Sequence, residues 1–487
     1  MGLLDDRAWA GKIFSGTWVD GSGDAYAAVE PATGAELAQV GAASPADVAK
    51  AAERAADAQR DWARLPYDQR ARVLRRAGQL FVEHADELND WIVRESGALR
   101  PFAEFQTLAV ASEECWEAAA LASAPYGEML RSNQDRLSLT RHLPVGVVGV
   151  ISPFNAPVIL SIRAVAPALA LGNAVVLKPD PRTAVCGGVA LARIFAEAGL
   201  PEGLLHVLPG GADVGEALVV DPLIRVIAFT GSTRAGRAIA AAAGQHLKRA
   251  HLELGGNSAL IILDDADLEK AASTGAFGSF NHAGQICMAT SRHLVASAVA
   301  RDYVDALAEH AARLPVGDPA GGHVALGPPI DAKQRDNVHR VVTDSVSDGA
   351  RLVTGGTYED LFYRPTVLSD VPLTAPAYDE EIFGPVAPVV TFDTLDDAVR
   401  LASATEYGLS LGILTRDVAK AMTLAERIPS GLVHINDQTV NDEAVAPFGG
   451  VGASGTGARH GGTRANLEAF TETQWLTVRA EQPPYPF

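Results

Sequence analysis

The feature that most constrains this chain is the stretch from 138 to 256, where short apolar runs alternate with Ala-rich amphipathic segments. SLTRHLPVGVVGVISP, NAVVLKP, LLHVLPG, VIAFTGS and RAHLELGG read as strands at 138–153, 173–179, 204–210, 226–232 and 249–256. Between them, 158–171, 183–199, VGEALVVD and TRAGRAIAAAAG carry helical spacing. Strand–helix–strand units of this size pair their strands in parallel through right-handed crossovers. The region is predicted to be a doubly wound nucleotide-type unit, its strands apolar throughout because helices cover both faces.

Residues 46–64 and 67–97 have apolar positions at three- and four-residue spacing and are expected to be amphipathic helices ahead of this sheet. A second alternating series begins at SALIILDDADLEKAA (258–272) and runs as far as LVHIND, which predicts a second α/β lobe. At 487 residues the chain exceeds one ordinary core, and two lobes with a smaller appended element are expected. The closing TETQWLTVRAEQPPYPF holds an alternating stretch and a Pro-rich tail, suited to an edge strand that pairs subunits.

A net charge of −19 argues against nucleic-acid binding, which depends on clustered Lys and Arg. The start lacks a basic segment followed by an apolar one, and no apolar run approaches the roughly 18 residues of a membrane span. The expectation is a cytoplasmic protein without membrane partners. Cys115, Cys186 and Cys287 are too widely spaced for a disulfide framework or a zinc site, and the histidines lack ligand spacing, so no metal is expected. Cys115 and Cys186 sit in helix-like surroundings and read as packing residues.

Two glycine patterns are decoys. Gly450 to Gly455 matches G-x-G-x-x-G but follows VAPFG rather than a strand, so it reads as a turn. Gly231 to Gly236 has the outer spacing of a phosphate loop, but Arg237 and Ala238 replace the Lys and Ser/Thr. Phe229-Thr230-Gly231-Ser232 nonetheless ends a strand and opens a helix, where a pyrophosphate or a plain turn would fit equally. Cys287 lies in turn-like context after Gly284-Gln285-Ile286, open to being either an exposed thiol or a packing residue. Glu253, a lone acid ending an apolar strand, needs solvent or a partner.

Taken in order, ISPFNAP, LKPDPRTA, FTGST, LELGGNSA, GQICMATSR, EEIFGPV and PFGGVGASGTG closely resemble the aldehyde dehydrogenase superfamily over about 15–480, and most of all its benzaldehyde, salicylaldehyde and vanillin dehydrogenases. That resemblance implies a Rossmann-like cofactor domain (1–125 and 145–255), an α/β catalytic domain (256–470) and a small β oligomerisation element (126–144 and 471–487). It also implies a homodimer or homotetramer that oxidises a small aldehyde to its acid.

By position in these motifs, Cys287 would be the nucleophile, Asn155 an oxyanion donor and Glu253 the base for thioester hydrolysis. Lys178, Gly210, Gly231, Ser232, Glu381 and Phe383 would contact NAD. Each has a plainer alternative: Lys178 a solvated strand end, Asn155 a turn residue before Pro157, Glu381 part of an exposed acidic run. Many NAD-preferring relatives carry Glu three places after the lysine, whereas this chain has Pro181 followed by Arg182, which leaves NADP open. Asn257 replaces the common Lys, and no role is carried onto it. Oxidation of an aromatic aldehyde leads; an aliphatic aldehyde or semialdehyde dehydrogenase, a CoA-acylating enzyme and a catalytically silent relative are the alternatives. The retained Glu253 and Cys287 weigh against the last two.

Overall fold

Both alternating series close into seven-stranded sheets in the computed structural model, which describes residues 2–486. In the first, five parallel strands lie in the order Arg249–Glu253, Ile224–Thr230, Val147–Ile151, Ala174–Lys178, Leu205–Val207. Lys12–Ser15 and Trp18–Asp20 extend the last edge antiparallel. Strand order reverses between Val147–Ile151 and Ile224–Thr230, so the chain leaves these neighbours in opposite directions and opens a crevice at their carboxyl ends. Val147–Ile151 and Ala174–Lys178 are buried at every position, which is why the runs are uninterruptedly apolar until Lys178.

Helices Pro45–Arg64, Tyr67–Glu83 and Ala85–Ser96 precede the sheet, the predicted 67–97 segment being broken at His84. Pro157–Ala170 is buried along its whole length and still carries one arginine, Arg163. Cys115 and Cys186 are both buried, in the helix Ser112–Leu121 and the π-helix Val185–Val189.

The second sheet runs Arg351–Thr354, Thr366–Ser369, Val386–Phe392, Thr290–Ala296, Ser258–Ile262, Ser410–Leu414, Leu432–Ile435, parallel except for its first pair. A separate antiparallel sheet joins Thr471–Val478 along its full length to Leu137–Pro144, with Met129–Leu130 beyond. Thr471–Val478 is an edge of that sheet, with Trp475 and Val478 exposed. Among the described residues no helix is long and apolar enough to cross a membrane.

Candidate active site

Four parallel strand ends of the first sheet deliver residues to one cavity of about 420 Å³. Val147–Ile151 runs on into Phe154 and Asn155, and Ala174–Lys178 ends on Lys178. Ile224–Thr230 hands over to Gly231 and Ser232, and Arg249–Glu253 to Leu254 and Gly255. The second sheet contributes from segments ahead of its strands: Cys287 before Thr290–Ala296, Glu381 and Phe383 before Val386–Phe392. Carboxyl ends of one sheet thus face the entry side of the other.

An apolar slot of about 450 Å³ continues the cavity between helices Ala212–Val220 and Thr233–Gln245, walled by Val219 and Ile239. Ile151, Lys178 and Phe229 line both spaces, so together they form one groove with a polar half and a flat apolar half. Such a groove fits a dinucleotide, its base in the apolar slot and its reactive ring toward Cys287. Lys178 is nearly buried and, among the described residues, its ammonium donates only to the Pro179 carbonyl at 3.3 Å, while burial lowers its pKa. It is a donor in want of an acceptor, as a ribose hydroxyl would be.

Ser232 caps the helix Thr233–Gln245, its hydroxyl accepting from the Ala235 N–H at 3.4 Å. The Gly231 N–H is already committed to the Glu253 carbonyl at 3.0 Å, so donors for a phosphate come from the helix's first turn instead. What Gly231 contributes is the lack of a side chain: a Cβ there would lie 2.5 Å from the Phe229 ring. Gly210 does not line this groove. It is buried where a Cβ would meet Val214 at 2.5 Å, which lets the chain close on the start of the next helix.

Arg182 is held by two carboxylates, Asp180 at 2.9 Å and Asp331 at 2.7 Å, and stacks 4.2 Å over the Phe154 ring. With its charge taken up twice it is not free to receive a 2′-phosphate, and Asp180 itself lines the cavity.

The catalytic candidates converge through glycines. A Cβ on Gly255 would lie 2.1 Å from the Glu381 carboxylate, and one on Gly256 would lie 2.4 Å from the Cys287 carbonyl oxygen. The Gly256 N–H donates to Glu381 at 3.1 Å, opposing the burial that pushes that carboxyl up to about 7. Phe383 takes a left-handed backbone, φ 52°, and sets its ring edge-on to Phe154 at 5.9 Å. Cys287 is partly open, and burial, then the Glu381 charge, push its thiol up to about 12 while Arg163 pulls it down.

Glu253 is buried, and neither carboxylate oxygen has a hydrogen-bond partner among the described residues. Burial pushes its pKa up to about 8, against the pull of Arg163 and Arg459. The glycine-rich turn dismissed as a cofactor motif packs on it: Leu254 N–H donates to Ser454 O at 2.9 Å, and a Cβ on Gly449 would lie 2.7 Å from Glu253 Oε1. This turn frames Glu253 and does not line the groove.

Residues not singled out in the sequence complete the site. Arg163 forms a buried ion pair with Asp442 and lies 4.5 Å over the Phe448 ring. Gln334, whose amide donates to the Phe383 carbonyl at 2.8 Å, fixes the turn that carries Phe383. A lone arginine inside an otherwise apolar helix was the available signal for Arg163; Gln334 offered none.

A second cavity, of about 650 Å³, lies against the apolar cluster on which Cys287 packs. Phe102 and Val440 line it and also pack into the apolar cluster that includes Cys287.

The sequence matches the aldehyde dehydrogenase family over residues 18–476. The chain belongs to that family. As an aldehyde dehydrogenase it is 64% identical to a vanillin dehydrogenase of Amycolatopsis over the full length of both chains. It is 48% identical to the benzaldehyde dehydrogenase [NAD(+)] of Pseudomonas putida over 98% of each. The solved salicylaldehyde dehydrogenase of Pseudomonas putida G7, complexed with salicylaldehyde, superposes with a TM-score of 0.94 at 36% identity, covering 98% of this chain and 99% of that one. The expected aldehyde dehydrogenase fold, an α/β enzyme of two large sheets, is the one observed.

Proposed function

We propose that this aldehyde dehydrogenase oxidises an aromatic aldehyde, of the benzaldehyde and vanillin kind, to its carboxylic acid with NAD. One observation carries the chemistry: Cys287, Asn155, Glu381 and Phe383 line a single cavity at the strand-order reversal, continuous with a base-sized apolar slot. The names of the relatives and the aromatic lining of the second cavity, Phe102, Phe105 and Phe277, support the aromatic substrate.

Cys287 Sγ adds to the aldehyde carbon as its proton passes by way of Glu253 to solvent, and the carbonyl becomes a tetrahedral oxyanion, which alone can release hydride. Asn155 and the Cys287 backbone N–H stabilise that oxygen, each such donor being worth about 3 kcal/mol in other enzymes. Bound NAD supplies the hydride acceptor. Lys178 holds its sugar hydroxyls, the Ser232 helix start its phosphates, and Glu381 and Phe383 its reactive half. Once Cys287 carries the acyl group as a thioester, Glu253 takes a proton from water as its oxygen adds to the acyl carbon; the C–S bond breaks, the acid departs and Cys287 Sγ takes the proton back. An aldehyde in the cleft shields Cys287 from water, so thiol deprotonation accompanies attack rather than preceding it.

Arg182 bound to Asp180 and Asp331 supports NAD over NADP, since a 2′-phosphate would meet carboxylates already near Lys178. Residues 1–125 with 145–255 bind the cofactor, 256–470 carry the nucleophile, and 126–144 with 471–487 pair subunits into a dimer or tetramer; the unpaired edge at Thr471–Val478 and exposed Trp475 support the last. Free, buried Cys115 and Cys186 suit the reducing cytoplasm. The test is a panel of aldehydes with each cofactor: benzaldehyde and vanillin with NAD should give the highest kcat/KM. A much faster oxidation of succinate semialdehyde would overturn the aromatic reading.

A further inference from the structure

The second cavity has aromatic walls and an acidic rim. Phe102, Phe105 and Phe277 offer ring edges and faces to a planar substrate, while Glu113, Glu117 and Glu443 stand around them. Among the described residues no lysine or arginine lines this space. The nearby cations are committed: Arg163 to Asp442, which itself lines the space, and Arg100 to Asp86, Asp90 and Glu104. Glu113 and Glu117 are both exposed and lie four residues apart on the helix Ser112–Leu121, a like-charge spacing that disfavours the helix carrying it. Glu443, also exposed, follows the buried Asp442 on the facing loop.

Charges of one sign around a low-dielectric opening concentrate their field on whatever passes through it. A neutral aromatic aldehyde meets the phenyl walls and feels little of that field. One bearing a carboxylate is repelled at the rim and finds no counter-charge inside.

We infer that Glu113, Glu117 and Glu443 form a charge filter at the aldehyde entrance, selecting uncharged aldehydes and excluding those that carry a carboxylate. The inference rests on the aromatic-aldehyde reading and narrows it, by separating substrates with the same ring and different charge.

The test compares kcat/KM for benzaldehyde and for 4-formylbenzoate, in low and high NaCl, in the wild-type enzyme and in the Glu113→Gln/Glu117→Gln/Glu443→Gln variant. Steric differences between the two aldehydes are the same in both proteins and cancel in the comparison. In wild type the benzaldehyde preference should shrink about fivefold between low and 0.5 M salt, as screening shortens the reach of the rim charges. In the variant the preference should already be about tenfold smaller at low salt and respond weakly to more. A preference unmoved by salt in wild type overturns the filter, whether or not the variant folds. So does a preference unmoved by the substitutions. If benzaldehyde is not oxidised, the aromatic reading fails by itself; the neutral and anionic aliphatic pair, butanal and succinate semialdehyde, then decides the filter by the same ratio.

Discussion

Gly256 lies so close to Cys287 that a Cβ on the glycine would sit 2.4 Å from the cysteine carbonyl oxygen. The extension of the strand carrying Glu253 is therefore what the nucleophile's loop rests against, and base and nucleophile share one piece of backbone. Gly256→Ala must move that loop by a good fraction of an ångström. Misplacements of this size in other enzymes cost about 10²-fold, and a loss of that order in kcat/KM is expected here. Circular dichroism should show the fold intact, because the neighbours are the Cys287 carbonyl and the Leu409 side chain, neither of them part of a strand.

In the proposed mechanism Glu253 governs the second half of the reaction. Its pKa, raised to about 8 by burial, leaves it protonated and unable to accept a proton at lower pH. Where hydrolysis limits turnover, kcat should rise with pH through about 8. Glu253→Gln should abolish that limb and lower steady-state turnover by about 10²–10⁴-fold, the range general bases contribute. A stoichiometric burst of NADH should survive, measured by stopped-flow absorbance.

Arg163 and Asp442 join elements 279 positions apart in sequence. Removing one member of such a buried pair leaves an uncompensated charge, typically at a cost of about 3–5 kcal/mol. Asp442→Ala should lower Tm markedly. Arg163→Met combined with Asp442→Leu should lose less than the sum of the two single changes. Arg163→Met has a second signature: Arg163 pulls the Glu253 pKa down, so its removal should shift the kcat limb to higher pH.

Cofactor choice follows from Arg182. With the guanidinium held by Asp180 and Asp331, kcat/KM with NAD should exceed that with NADP by about tenfold or more. Asp331→Asn, which releases one arm of Arg182, should narrow the ratio by improving NADP. Initial rates with both cofactors provide the check.

Much of the fold was legible because buried parallel strands read as bare apolar runs, whereas the spatial order that opens the crevice between Val147–Ile151 and Ile224–Thr230 depends on packing between runs distant in sequence. Ser232 stands just past a strand that the hydrophobic pattern ends, but Asn155, past the end of another, and Lys178, at the end of a third, had plainer local readings and were assigned only through the ordered motifs. Cys287 was different. Its window allowed a packing residue, and only the ordered motifs set it apart, because its surroundings are made by Gly256 against its carbonyl and by the charge of Glu381, the latter distant in sequence by about a hundred residues. The same distance hid Asp442 from Arg163 and the Gly449 turn from Glu253. Nor could the sequence show that the Gly231 amide donates to the Glu253 carbonyl, since local pattern does not reveal which backbone donors a neighbouring strand takes up.

The central claim is an acyl group held on Cys287 until Glu253 activates water. Peptide mass spectrometry of Glu253→Gln, quenched in acid within the burst after mixing with NAD and benzaldehyde, tests it most directly. The account predicts a benzoyl thioester on the peptide containing Cys287, at near-stoichiometric yield and absent when NAD is omitted. Turnover that continues with no acyl group on Cys287 would contradict it.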